Sequence, residues 1–172
     1  MLPAAPRERA ARYARANVRA PDKAALCAEL MAQLEAALAA ATAAHQATVE
    51  GATHAESRAE SDKDTRALEQ TYLARGQALR VVELQAALAD LAAWRPRRFA
   101  ADDAVALGAV VTVEEAGDRR VLFLAPAGGG NTLAGDVQVV TPHSPLGRAL
   151  LGKQAGDDVE LPRRSLEIVS VR

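Results

Sequence analysis

Residues 51–64 read GATHAESRAESDKD, and the chain is organised to either side of them. Glu56, Glu60, Asp62 and Asp64 crowd four carboxylates between two alanine-rich helical patterns. Upstream, Pro21-Asp22 supplies a helix start with Asp22 at or near the N-cap. From there Cys27, Met31, Leu34, Leu38, Ala41, His45, Thr48 and Ala52 alternate four and three residues apart, which is heptad spacing. Downstream, Leu68, Tyr72, Arg75, Leu79, Val82 and Ala86 repeat that spacing, and Leu84, Leu88 and Leu91 form a flanking line towards Trp94. Pro96 cannot continue a helix. Two such runs joined by a polar connection predict an antiparallel helical hairpin over 22–94. The midpoint between Asp22 and Trp94 falls at residue 58, inside the acidic stretch. Arms of roughly 30 residues would each extend about 45 Å. Gly51 offers an early C-terminal stop for the first helix.

The acids have two readings. Ser57-Arg58-Ala59-Glu60 and Ser61-Asp62-Lys63-Asp64 both fit a capping box, the second imperfectly because Asp is shorter than Glu. Carboxylates in a first helical turn also suit the helix dipole. In the other reading they are a functional group carried at the end of a lever. His45 and His54 are near enough in sequence to suggest metal ligands, but without a second cysteine or a rigid setting they read as surface histidines.

The totals narrow the classes. The 172 residues are 49% hydrophobic but only 3% aromatic, with alanine supplying much of the apolar count. Alanine favours helix yet buries little area, so the first half should be slender helical structure. A net charge of −1 provides no global field for nucleic acid or membranes. Cys27 is the only cysteine, which excludes an intrachain disulfide and points to a reducing compartment. No continuous apolar run approaches the ~20 residues of a bilayer span. Residues 1–21 carry five arginines against one glutamate, without the apolar segment of a secretory signal. They read as a flexible basic extension, with a phosphate-touching arm as the alternative.

Beyond a linker over 95–104 the period changes. Leu107–Val113, Val121–Leu124, Val137–Thr141, Val159–Leu161 and Leu166–Val171 are short apolar runs separated by turn residues, which predicts strands. Gly128-Gly129-Gly130-Asn131 lacks the Lys-Ser/Thr of a phosphate loop and reads as a mobile hairpin tip. Within Thr141–Lys153, TPHSPLGRALLGK, Ser144 can N-cap a helix with Pro145 at N1, and Gly152 can close it. One short helix against a small, curved antiparallel sheet makes 105–172 a compact domain. The fold class is therefore α+β: a helical coiled-coil hairpin followed by a small β-rich domain. No nucleophile–base pair is apparent, since Ser144 is explained as a cap.

The strings LGAVVTV (107–113), VVTPHSPLGRALLGKQAGDDVEL (139–161) and the closing LEIVSV resemble the C-terminal domain of the GreA/GreB transcript-cleavage factors. The resemblance is closest over the S-P-L-G-x-A-L-L-G-K-x-x-G-D-x-V portion, and the hairpin ahead of it gives the same domain order. It implies an FKBP-like domain that docks on bacterial RNA polymerase at the mouth of its secondary channel. It implies a hairpin whose acidic tip helps hold a Mg²⁺ ion shared with the polymerase active site, where backtracked RNA is cut. Such a factor is not itself an enzyme and has no intrinsic cofactor or metal. It is a cytoplasmic monomer off the membrane, and reaches nucleic acid through the elongation complex. The chemistry is coherent, because a hard cation on phosphate takes oxygen ligands and two metals stabilise both attacking and leaving oxygens.

The chain departs from the family tip, which reads approximately G-D-L-x-E-N-A-E-Y. Position at the hairpin midpoint selects Glu56 and Glu60 as the working pair, with Asp62 and Asp64 as alternates. On the domain, Ser144, Pro145, Leu146, Arg148 and Lys153 are the expected polymerase contacts, Arg148 and Lys153 suiting acidic partners. Two alternatives stand beside a cleavage factor. One is a Gre-fold regulator or inhibitor that binds polymerase without stimulating cleavage. The other is an FKBP-like prolyl isomerase or chaperone, for which Phe123 is the only aromatic the domain offers after the linker.

Overall fold

The computed structural model describes residues 22–56, 65–162 and 164–172. Helix α1 spans Lys23–Glu56 and helix α2 spans Thr65–Ala93. Six strands follow: β1 Val110–Glu115, β2 Asp118–Leu124, β3 Thr132–Leu133, β4 Val137–Val140, β5 Asp158–Leu161 and β6 Arg164–Val171. A short helix α3, Pro145–Leu150, lies between β4 and β5. The class is α+β as the sequence predicts.

The chain divides into two compact units. The first holds the start of α1 up to Leu30, the end of α2 from Asp90, and the whole sheet. The second is Met31–Ala89. Chain α1 leaves the first unit at Leu30 and α2 re-enters it at Asp90, so the helices run in opposite directions through the second.

Asp22 starts α1 as expected, its carboxylate accepting from the Ala24 N–H at 3.0 Å. Gly51 does not stop the helix, which continues to Glu56. A glycine inside a helix weakens it by about 1 kcal/mol, too little to break a helix of this length. The sequence also holds more apolar helix than its longest continuous run suggests. Lys23–Gly51 is long and apolar enough, by length and composition, to cross a membrane. Alanine raises its average hydropathy while Glu29 and Glu35 interrupt it.

Within the second unit Leu34 and Leu84 are buried, at 5% and 2% exposure. On α1 the inward line is the expected one, with Met31, Leu38, Ala41, His45 and Thr48 all partly buried. On α2 it is not. Tyr72, Leu79 and Val82 are exposed, as are Arg75 and Ala86. The inward line is Ala74, Gln77, Ala78, Val81, Leu84 and Leu88, which continues the flanking leucine line towards the acidic end. Both lines have heptad spacing. Ala74 and Ala78 on this line are small, where Tyr72 and Leu79 on the other are large.

The sheet order is β3-β4-β2-β1-β6-β5. It is mixed and not wholly antiparallel, because β2 and β4 pair in parallel, Leu122 opposite Gln138 and Phe123 opposite Val139. The chain leaving β2 crosses beyond the future place of β4, forms β3 on the sheet edge, and turns back. The triple glycine lies in that crossover rather than at a hairpin tip. There Gly130 donates its N–H to the Val139 carbonyl at 2.9 Å. Gly128 has φ +77, and a Cβ on it would come within 2.6 Å of the Leu30 side chain. Glycine answers both demands.

Both faces of the central strands are buried. Val111, Val113, Leu122, Leu124, Leu166 and Ile168 join Leu150 of α3 in one core. On the other face Phe123 is fully buried, its ring 6.0 Å from that of Trp94. Leu26, Leu30 and Leu91 are buried in the same unit. Burial on two faces explains why β2 ends in the continuous apolar run Val121–Leu124 instead of alternating. The start of α1 is pinned further by Glu29, whose carboxylate accepts the Ala134 N–H at 3.0 and 3.1 Å. Lys23 Nζ and the Arg97 guanidinium lie 4.3 and 3.9 Å from the Phe99 ring centroid, in cation–π geometry.

Candidate docking site and hairpin acids

The strongest candidate site grows from the S-P-L-G sequence ahead of α3. Ser144 is the N-cap, with φ −71° and ψ 154°. Its Oγ accepts the Gly147 N–H at 3.0 Å and donates to the Thr141 carbonyl at 2.8 Å. Pro145 opens the helix, where a missing N–H costs nothing. Leu151 N–H bonds the Gly147 carbonyl, and Gly152 follows with φ +79. The Gly152 N–H and the Lys153 carbonyl then bond the backbone of Val105 at 2.9 and 2.7 Å. The helix is thus fixed at both ends.

Fixing α3 opens a pocket of about 430 Å³ lined by Ser144, Pro145, Leu146, Leu161, Pro162 and Arg164. Its wall is mostly hydrocarbon, with Arg164 as its cation. That guanidinium lies 3.3 Å from Glu115 Oε2, which also pairs with Arg120. Such a pocket suits an apolar side chain of a partner, with a carboxylate beside it for Arg164.

The structure brings three of the five expected contacts together here: Ser144, Pro145 and Leu146. Arg148 and Lys153 do not line the pocket. Arg148 is exposed and donates to the His143 carbonyl, and Lys153 is half-buried. Leu161, Pro162 and Arg164 were missed by sequence reasoning. The Leu-Pro pair ending β5 was the available signal, since a proline there stops the strand beside α3.

Glu56 is the last residue of α1. Glu60, Asp62 and Asp64, with the two capping boxes, lie outside the described residues. Among the described residues no group of three or more His, Cys, Asp or Glu is placed to hold a metal ion. His45 is half-buried within the second unit, and its Nδ1 has no hydrogen-bond partner among the described residues. Phe123 is fully buried beside Trp94. That removes the residue on which an isomerase reading rests.

Residues 100–172 match the family model described as transcription elongation factor GreA/GreB, C-terminal. The likeness to the GreA/GreB family is one of this C-terminal part of the chain. The chain is 38% identical over 72 residues to transcription elongation factor GreA of Streptococcus sanguinis (strain SK36), covering 40% of this chain and 43% of that protein. GreA of Streptococcus pneumoniae serotype 19F (strain G54) is 36% identical over the same length. The match therefore spans less than half the length of these curated relatives. Among solved structures, GreA factor homolog 1 of Thermus thermophilus is 20% identical, with coverage of 83% of this chain and 94% of that one and a TM-score of 0.36. The pocket at Ser144–Leu146 lies within the segment matched to the Gre C-terminal domain.

Proposed function

We propose that the chain is a Gre-like bacterial transcription elongation factor. It docks on RNA polymerase at the secondary channel and stimulates Mg²⁺-dependent cleavage of backtracked RNA. The observation that carries this reading is the pocket built by Ser144, Pro145 and Leu146 on a GreA/GreB C-terminal domain. The division of labour follows. The domain binds, and Glu56 and Glu60, with Asp62 and Asp64 as alternates, offer carboxylate oxygens to a Mg²⁺ ion in the polymerase active site. Helix α1, with 34 residues, extends about 51 Å. The factor is then no enzyme itself. It acts as a cytoplasmic monomer and meets nucleic acid only within the elongation complex.

The test is a backtracked elongation complex incubated with Mg²⁺ and the protein. Short 3′ RNA fragments should appear above the polymerase-alone rate, and alanine at Glu56 and Glu60 together should abolish that excess while polymerase binding persists. If no excess appears, the cleavage role fails.

One observation favours a second reading. The acids at 56, 60, 62 and 64 do not reproduce the Asp and Glu three residues apart of the family tip. A Gre-fold regulator that binds without cleaving would block cleavage by an active Gre factor in competition while producing none.

A further inference from the structure

Two hairpin tips meet beside the α3 pocket. At the first, β1 and β2 pair down to Glu115 opposite Asp118, which leaves only Ala116 and Gly117 for the turn. Both have positive φ, +51 and +92, as a two-residue turn matched to the strand twist requires. An alanine enters that region against the steric preference of its Cβ, so the paired strands hold it there. A turn this short fixes where β1 stops, and Glu115 is its last residue. At the second tip β5 and β6 pair down to Leu161 opposite Arg164.

Backbone pairing does not join the tips. The β1–β6 ladder runs only to Glu114 opposite Glu167, three residues short of Arg164. One carboxylate crosses the gap. Glu115 Oε2 accepts from an Arg164 Nη at 3.3 Å and from the Arg120 guanidinium of β2. The Arg164 side chain is 41% exposed, and an ion pair so open to water adds little stability. It can still set a direction. A long arginine has many rotamers to lose on binding, and a guanidinium already tethered leaves a partner less to order. The bond to Glu115 uses one of five donors in the arginine fork, so the others stay available. Arg120 has a second effect. With two guanidinia on one carboxylate the group keeps a net positive charge, and Glu115 does not turn a partner's carboxylate away.

We propose that Glu115 is a positioning residue of the pocket: anchored by Arg120, it holds the Arg164 guanidinium at the mouth and makes a carboxylate on the partner part of what the pocket selects. This rests on the polymerase-docking reading above. Glu115 itself need not touch the partner.

The experiment measures binding of the fluorescently labelled full chain to core RNA polymerase by anisotropy, for the native chain, Glu115→Gln, Arg164→Ala and the double variant. Circular dichroism melts confirm that each folds. Glu115→Gln keeps the shape and removes the charge. It should weaken binding about three- to fivefold alone, and by less than about 1.5-fold when Arg164→Ala is already present, because its effect runs through the guanidinium. Arg120→Ala should weaken binding in the same direction. Equal losses from Glu115→Gln in both backgrounds would mean that it acts by another route, and an unchanged or tighter affinity would make it no aid to Arg164; either overturns the proposal. A native affinity in Arg120→Ala overturns the anchoring. If the native chain binds and Arg164→Ala binds equally well, this inference falls while polymerase binding stands. If the native chain does not bind polymerase, the docking reading falls and this one with it.

Discussion

The carbonyl oxygen of Thr141 occupies the space that a Cβ on Gly147 would need. The obstacle is backbone, and Thr141 is held there by its bonds to the Ser144 N–H at 3.1 Å and the Ser144 hydroxyl at 2.8 Å. The glycine of S-P-L-G therefore permits the tight entry into α3 on which the pocket depends. Replacing it with alanine should destabilise the domain by about 3 kcal/mol, at the upper end of overpacking costs, because neither partner can move without losing the cap. Chemical denaturation compares it with Gly117→Ala, where φ is +92 but nothing lies within 4 Å. That control should lose only about 1–2 kcal/mol. Equal losses at the two positions would show that the overlap is relieved cheaply.

The choice between the two lines of α2 can be tested by cutting one leucine from each. Leu84 is 2% exposed and Leu79 is 57% exposed. Leu84→Ala should cost about 2–4 kcal/mol, as for a buried leucine, and Leu79→Ala about 0.5 kcal/mol or less. Thermal melts followed at 222 nm would read both. A larger loss at Leu79 would return the helix to the register expected from the sequence.

How that register was missed says what a sequence encodes locally. The cap at Ser144, Pro145 at N1 and the stop at Pro96 are decided by a few neighbouring residues, and each was legible. So was the α1 line, because its alternatives are alanine. On α2 the larger residues, Tyr72, Leu79 and Val82, drew the seam to the wrong face. Which line turns inward is settled by the burial of the folded helix, and the size of its residues does not state it. The parallel β2–β4 pairing depends on which side of β2 the crossover passes, and no run of residues states it. The pocket was half-legible for a similar reason. Ser144, Pro145 and Leu146 are adjacent in sequence, but Leu161, Pro162 and Arg164 reach them only through the packing of β5 against α3.

Cys27 gives a pH-dependent handle on the base of α1. Burial raises its thiol above the ordinary range, and the nearby Lys23 ammonium offsets only part of that rise. The reactive thiolate should therefore form at higher pH in the native chain than in the unfolded one. Alkylation by iodoacetamide should show a native midpoint above the ~8.5 of a free thiol. The sign for stability follows. In the window above the unfolded value the unfolded chain has lost a proton that the native chain keeps, so this group makes stability fall as pH rises through it. Lys23 acts in the opposite sense. Burial first, and then Arg97, lower its value, so its contribution makes stability rise with pH until the unfolded lysine also deprotonates. A Cys27→Ala chain isolates the first effect: its stability should decline less between pH 8.5 and 10 than that of the native chain. An identical decline would remove Cys27 as its source.

The pocket and the exposed face of α3 make different demands on a partner, and two charge reversals separate them. Arg164 lines the pocket and is oriented by Glu115 at 3.3 Å, so a partner carboxylate meets a positioned guanidinium beside hydrocarbon. Arg148 stands outside the pocket, in solvent, with its guanidinium on the His143 carbonyl. Under the polymerase-docking reading, Arg164→Glu should weaken binding to core polymerase by about tenfold, or about 1.4 kcal/mol. Arg148→Glu, at a rim position where water screens the charge, should change it by about two- to threefold, mainly in association rate and more at low salt. Leu146→Ala tests the apolar half of the same site and should act with Arg164→Glu, lowering affinity through faster dissociation. Surface plasmon resonance with immobilised polymerase reads both rates. If Arg148→Glu proved the more damaging, the contact would lie on the outer face of α3 and the pocket would be a by-product of how Pro162 ends β5.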